Sequence, residues 1–125
     1  MYYEIITRAV EAGFVHKKIT GSGGEFAKVI LRLEPLPGRS GVQFINGVAD
    51  EVIPAKLVEG VREGVEEASK TGVLAGHPVT DLRVTLINGA YHEIDSDRRT
   101  FSLAARGAFW DGMRKAGPEI QERQA

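Results

Sequence analysis

The sequence contains no cysteine in 125 residues, which excludes disulfide bonds and thiolate metal ligands. It also has no apolar run approaching the roughly 20 residues of a membrane-spanning helix, and its first residues lack the pattern of a signal peptide. No single charge dominates, since 16 Lys and Arg balance 17 Asp and Glu. That balance argues against a protein that coats nucleic acid nonspecifically, because such binding depends on neutralising phosphates. We therefore expect a cytoplasmic protein with no membrane partner.

The glycine motifs of nucleotide-binding proteins are missing as well. No P-loop pattern ending in Gly-Lys-[Ser/Thr] occurs, and no Gly-x-Gly-x-x-Gly opens a helix after a strand. The acids and histidine of the segment His92–Asp97 superficially resemble metal ligands, but their spacing matches no zinc pattern. The sequence thus predicts neither a cofactor nor a metal site.

The hydrophobic pattern predicts one domain of the α+β class. The order β-β-β-α-β-α indicates a two-layer sandwich, with helices against one face of a mainly antiparallel sheet. The predicted strands cover residues 2–10, 26–33, 42–46 and 79–87, a further strand arm could cover 14–20, and the helices run over about 54–70 and 97–116. We expect a turn at 11–13, a domain over 1–118, and a polar C-terminal tail at 119–125 that frays.

Two features of the predicted helices concern their packing. Gly60 and Gly64 each cost the first helix roughly 1 kcal/mol against Ala, which indicates close approach to the sheet or to a second helix. In the second helix, small and aromatic residues recur at helical spacing. Its predicted buried face consists of Phe101, Ala105, Ala108, Phe109 and Gly112.

Two segments carry the candidate functional residues. The first, His16–Gly24, places a basic run beside three glycines, and it could contact phosphate or simply form a solvated strand end and a tight hairpin tip. The second, Asn88–Asp97, joins a β-branched strand to the second helix. Asp95 or Asp97 is expected to cap that helix. Ser22 and His92 could suggest a hydrolase, but no nucleophile elbow or oxyanion motif accompanies them, so we predict no catalysis.

These segments resemble a known family. The run Gly47–Gly89, the stretch Ala90-Tyr-His-Glu-Ile-Asp-Ser96 and the stretch Thr20-Gly-Ser-Gly-Gly-Glu-Phe-Ala-Lys-Val29 are similar to segments of domain IV of bacterial translation elongation factor G. The resemblance extends over about Tyr3–Pro118. It implies a fold like the second domain of ribosomal protein S5, with a left-handed β-α-β crossover where right-handed ones are the rule.

The resemblance also implies a function. In the family this domain reaches the ribosomal decoding site and helps to move paired tRNA and mRNA, so the implied partners are the ribosome, tRNA, mRNA and ribosomal RNA. We expect a monomer without catalysis of its own, cut from a longer chain whose other domains would bind GTP. The implied RNA-binding residues are His16, Lys17, Lys18, Thr20, Gly21, Ser22, Gly23, Gly24, Glu25, Tyr91, His92 and Ser96.

This sequence departs from the family pattern at the first loop. Glu25 replaces a glutamine, Ile19 replaces a basic or polar residue, and Ala27-Lys28 replaces a Gly-His pair. A negative charge at residue 25 opposes RNA contact, so the departures suggest a divergent relative of the translocase. The alternative is a free-standing protein–protein interaction module of the same fold.

Overall fold

The computed structural model describes residues 1–124 as two sheets and two helices. The elements in chain order are β1 (Tyr2–Ile5), β2 (Val10–Thr20), β3 (Gly23–Pro35), β4 (Val42–Asn46), α1 (Ala55–Ala68), β5 (Leu82–Ala90), α2 (Arg98–Lys115) and β6 (Glu119–Glu122). A four-stranded sheet has the order β2-β3-β5-β4, and β1 pairs with β6 in a second, two-stranded sheet. Within residues 1–124, neither helix has the length and apolarity to cross a membrane.

The four-stranded sheet is mainly antiparallel, as predicted. β2 and β3 form a long hairpin whose register runs from Val10 opposite Leu33 to Thr20 opposite Gly23, and β3 pairs antiparallel with β5. β4 pairs parallel with β5, and α1 connects them, which makes a β-α-β unit. The left-handedness of this crossover stays a prediction.

Both helices cover one face of the sheet. The core side of β3 consists of Ala27, Val29, Leu31 and Leu33, all fully buried, because alternate residues of a strand point to the same side. The predicted buried face of α2 is confirmed at all five positions.

The glycines of α1 lie against α2. A Cβ atom at Gly60 would clash with the carbonyl oxygen of Arg98, and one at Gly64 with that of Ser102. The predicted close approach is therefore made to the second helix, and the helix propensity lost at these glycines is offset by tight interhelical packing.

The N-terminal segment differs from its prediction. Residues 2–10 do not form one strand, because the backbone N–H groups of Thr7 and Arg8 both donate to the carbonyl oxygen of Ala116, between the end of β1 and the start of β2. The turn predicted at 11–13 is also wrong. Those residues lie inside β2, where Ala12 is buried.

The C-terminal segment was expected to fray, but residues 119–122 form β6. β6 pairs with β1 so that Tyr2 lies opposite Glu122, and the N-terminal ammonium donates to the carbonyl oxygen of Arg123 at 2.9 Å. Arg123 also pairs with the buried carboxylate of Asp81. No local pattern in this polar segment predicts a strand, because the residues that pair with it lie far away along the chain. Ala125 lies outside the described residues.

One buried acid organises the loop after α1. The carboxylate of Glu4 is fully buried and accepts backbone N–H groups from Leu74, Ala75 and His77 at 2.8–3.0 Å. Burial raises the pKa of Glu4, but these three donors outweigh it and hold the pKa below its ordinary value. His77, predicted to be structural, contributes its N–H here, and its ring stacks on Tyr2.

Candidate functional site

The first candidate loop is the tip of the β2–β3 hairpin. Only Gly21 and Ser22 separate the closing pair, Thr20 and Gly23. The hydroxyl of Thr20 donates to the carbonyl oxygen of Gly23 at 2.7 Å, and Gly23 has φ of 152°, a conformation that L side chains rarely adopt. The glycine-rich segment thus forms a tight two-residue turn. We call residues 20–26 the first tip loop.

The second candidate loop, residues 91–96, lies directly beside the first. Pairing of β3 with β5 ends at Lys28 opposite Ala90, and the second tip loop begins there. The N–H of Phe26 then donates to the carbonyl oxygen of Asp95 at 2.9 Å, and the Ser96 hydroxyl donates to that of Phe26 at 2.6 Å. Ser96 also accepts the N–H of His92 at 2.9 Å. These bonds join the two loops into one structure, which we call the tip.

An aromatic pair lies across the junction. The rings of Phe26 and His92 are stacked, with centroids 4.0 Å apart and planes 6° from parallel. Phe26 is half-buried and His92 is exposed, so one side of the pair is supported and the other is accessible. Sequence patterning places Phe26 only in a strand. Its position directly after a glycine-rich turn is the signal that could have placed it in the site.

Glu25 lies between two basic side chains. Its carboxylate contacts His16 Nε2 at 2.8 Å and Arg99 Nη1 at 3.2 Å. The hydrogen bond from His16, together with the charge of Arg99, holds the pKa of Glu25 below its ordinary value. The acid expected to oppose RNA contact therefore faces a guanidinium group and a histidine ring of its own chain. Arg99, from α2, was not predicted as a site residue.

Lys17 and Lys18 lie near the end of β2 and are exposed. Because successive strand residues point to opposite faces, the two lysines lie on opposite sides of the hairpin. Lys17 is opposite Phe26 in the register and Lys18 is opposite Glu25. Neither lysine has an ion-pair partner among residues 1–124.

The remaining predicted residues have structural contacts. Asp97 caps α2 in a capping box, where its side chain accepts the N–H of Thr100 at 2.8 Å and its own N–H donates to the Thr100 hydroxyl. Tyr91 packs against the core cluster. The Ser22 hydroxyl lies 3.4 Å from the Thr20 hydroxyl. Across the described chain no three His, Asp or Glu side chains are grouped to hold a metal ion.

Comparison with known proteins identifies the family. The family model described as elongation factor G, domain IV, matches residues 1–117. The chain belongs to the elongation factor G domain IV family. Elongation factor G of Anaplasma marginale (strain Florida) is 47% identical over 121 residues, and that of Hyphomonas neptunium is 43% identical over the same length. Each alignment covers 97% of this chain.

A solved structure supports the same family assignment. A protein from Thermus thermophilus matches this domain IV with a TM-score of 0.89 and 41% identity, over 95% of this chain and 18% of that one. The predicted α+β architecture is thereby confirmed, and it is consistent with the fold of ribosomal protein S5 domain 2. This domain IV spans only 18% of the length of the Anaplasma relative and 17% of the Hyphomonas relative.

The departures from the family pattern have distinct positions in this domain IV. Ala27 is fully buried in the core, whereas Lys28 is exposed beside the end of β5. Ile19 is 80% exposed next to the hairpin turn. The substitutions therefore leave the fold intact and alter the surface around the tip.

Proposed function

We propose that the tip contacts RNA on the ribosome and assists the movement of paired tRNA and mRNA at the decoding site. On this proposal the domain is a monomeric, cytoplasmic RNA-contacting part of a longer translation factor. It performs no catalysis itself, and GTP is bound by other domains of that factor. The tip residues His16, Lys17, Lys18, Tyr91 and His92 act through shape, stacking and charge.

The observation that carries the proposal is the stacked pair of Phe26 and His92 at the junction of the two loops. A codon–anticodon duplex presents a shallow minor groove with 2′-hydroxyls and phosphates, which proteins recognise mainly by shape. An exposed imidazole held flat against a supported ring can stack on a base or hydrogen-bond a 2′-hydroxyl. The hydrogen bonds that join Phe26 to Asp95 and Ser96 fix this platform before RNA arrives, which reduces the entropy lost on binding.

The electrostatics of the tip are consistent with RNA contact. Lys17 and Lys18 keep their charges free on both sides of the hairpin, and lysine binds phosphate as a mobile point charge. The negative charge of Glu25 is offset by the guanidinium of Arg99 at one oxygen, and His16 hydrogen-bonds the other oxygen. The acid therefore acts on the shape of the first tip loop more than on its affinity for phosphate.

Titration of the 15N-labelled chain with a codon–anticodon RNA mimic tests this function. Amide chemical-shift changes are expected in both tip loops, and they should shrink as salt is raised. Lys70, just beyond the C-terminal end of α1, is the internal reference, and its amide should not shift. Changes confined to the helices and absent from both loops would refute the proposal.

A second candidate function is suggested by two apolar side chains. Ile94 in the second tip loop is 94% exposed and Ile19 next to the first is 80% exposed. Two exposed apolar side chains beside the tip also suit a protein partner. Binding that tolerates salt and ribonuclease, and that is lost in Ile94→Ser, would favour this protein–protein interaction module over RNA contact.

A further inference from the structure

A basic concavity lies on the outer surface of α2, next to the tip. Its volume is about 520 Å³. Its lining residues are Glu63, Arg98, Arg99, Ser102, Leu103 and Arg106. We call it the α2 arginine patch. None of its residues belongs to the two tip loops.

The charges of the helix layer are distributed unevenly, although the whole chain is almost neutral. α2 carries five basic side chains and one acid, a net charge of +4. α1 carries two basic side chains and four acids, a net charge of −2. The near-zero total therefore conceals a strongly positive helix, and its N-terminal end adds the partial positive charge of the helix dipole.

The three arginines of the patch differ in their partners. Arg98 pairs with Glu63 of α1, and Arg99 pairs with Glu25 of the first tip loop. Arg106 is half-buried and has no ion-pair partner among residues 1–124. Glu63 and Glu25 thus pair with two of the guanidinium groups, while Arg106 keeps an uncompensated charge at the other end of the concavity.

We propose that the α2 arginine patch binds the phosphate backbone of the RNA that contacts the tip. Arg99 and Arg106 lie seven residues apart on one face of α2, about 10 Å along the helix axis. Guanidinium groups bind phosphate oxygens bidentately and are the usual choice for such contacts. The inference rests on the proposed function, because the RNA is the one engaged by Phe26 and His92.

Continuity with the tip favours RNA over an acidic protein. Arg99 contacts Glu25 directly, so the patch begins where the first tip loop ends. Lys18, the cross-strand partner of Glu25 on the same face of the hairpin, continues the positive surface. A phosphate strand running from Lys18 past Arg99 to Arg106 would meet three basic side chains in succession, an extended arrangement that a compact acidic side-chain cluster would not require.

Fluorescence anisotropy with a labelled RNA duplex, measured over a range of salt concentrations, tests the inference. Arg106→Gln should lower the slope of log affinity against log salt by about one. A slope lower by one means that affinity falls about fourfold less between 50 and 200 mM salt. Arg106→Lys, which keeps the charge, should retain the slope. Arg114→Gln is the matched control at the far end of α2, where Arg114 pairs with Asp111, and it should behave as the parent chain.

The other outcomes distinguish a failure of the α2 arginine patch from a failure of the proposed tip function. An unchanged slope in Arg106→Gln, when His92→Ala has weakened binding, overturns the patch and leaves the tip function standing. An equal loss in Arg106→Gln and Arg114→Gln also overturns it, since it would show a general charge effect. Competition by a polyglutamate peptide as effective as that by unlabelled RNA assigns the patch to acidic proteins. No RNA binding by the parent chain overturns the proposed function and the patch together.

Discussion

The carboxylate of Glu25 contacts Arg99, so the tip of the β2–β3 hairpin is linked to the first turn of α2 across 74 positions of the chain. The second oxygen of Glu25 accepts from His16 on the neighbouring strand. This arrangement explains how an acid can occupy the first tip loop without an unpaired charge. It acts as a bridge between the hairpin and the helix layer.

The first prediction concerns this bridge. Because the pKa of Glu25 is lowered by His16 first and by Arg99 second, both contacts are retained above its ordinary pKa and lost as pH falls through the lowered value. Carboxyl-carbon NMR should show Glu25 titrating below a typical glutamate, and Arg99→Gln should raise its pKa. An unchanged pKa of Glu25 in Arg99→Gln would contradict the bridge. Arg32→Gln, which removes an ion pair with Glu11 instead, is the control and should leave the pKa of Glu25 unchanged.

The second prediction concerns the contact between the helices. Gly64→Ala should lower the free energy of unfolding by about 1–3 kcal/mol, because the added methyl clashes with the carbonyl oxygen of Ser102 and lies 3.0 Å from Ala105 Cβ. The gain in helix propensity is only about 1 kcal/mol and should not compensate. Urea unfolding measures the difference. Gly38→Ala, with open space around its Cβ position, should change stability little, and stabilisation by Gly64→Ala would contradict the packing.

The third prediction concerns the buried carboxylate. Glu4→Ala removes the acceptor of three backbone N–H groups and should destabilise the chain by about 3 kcal/mol. Since the pKa of Glu4 is lowered, its stabilisation is present above the ordinary pKa and lost as pH falls through the folded value. Urea unfolding at neutral and acidic pH should therefore show a smaller pH dependence in Glu4→Gln. An equal pH dependence of stability in the parent chain and in Glu4→Gln would contradict the stabilising role of the Glu4 carboxylate. Glu67→Gln, on the exposed side of α1, is the control and should keep the pH dependence of the parent chain.

The fourth prediction concerns the aromatic platform. His92→Ala should weaken binding to an RNA duplex by about 1 kcal/mol or more, roughly fivefold, because stacking on one base is worth about 1–3 kcal/mol. Stability should barely change, since His92 is exposed. Anisotropy and urea unfolding separate the two effects. Full RNA affinity in His92→Ala would argue against a stacking role, and His77→Ala provides a histidine control at a distant loop.

The sequence pattern predicted correctly those elements whose cause lies within a few residues, such as a helix cap or the alternation of a strand. Asp97 before α2 and the alternation of Phe26–Leu33 each have a nearby physical cause, and both placements hold. β6 and the burial of Glu4 were missed. Both depend on partners about 70 to 120 residues away, and no local period records such pairing.

The candidate site was predictable only in part. The family motif brought His92 and the glycine turn together, and the structure joins them through Phe26 and Ser96. Arg99 and Arg106 lie in a helix whose sequence shows an ordinary amphipathic pattern. Their relation to the tip follows from the docking of α2 on β2 and β3, which composition does not reveal.

On the proposed function, the tip, and not the end of the domain where α1 terminates, lies against the RNA of the decoding site. Because the chain has no cysteine, a single cysteine can be introduced as Ser22→Cys at the hairpin turn or as Lys70→Cys after α1. An iron chelate attached to it cleaves nearby RNA by hydroxyl radicals on small ribosomal subunits. We predict cleavage of decoding-site ribosomal RNA from residue 22 and none there from residue 70. Equal cleavage from both positions, or none from residue 22, would contradict it.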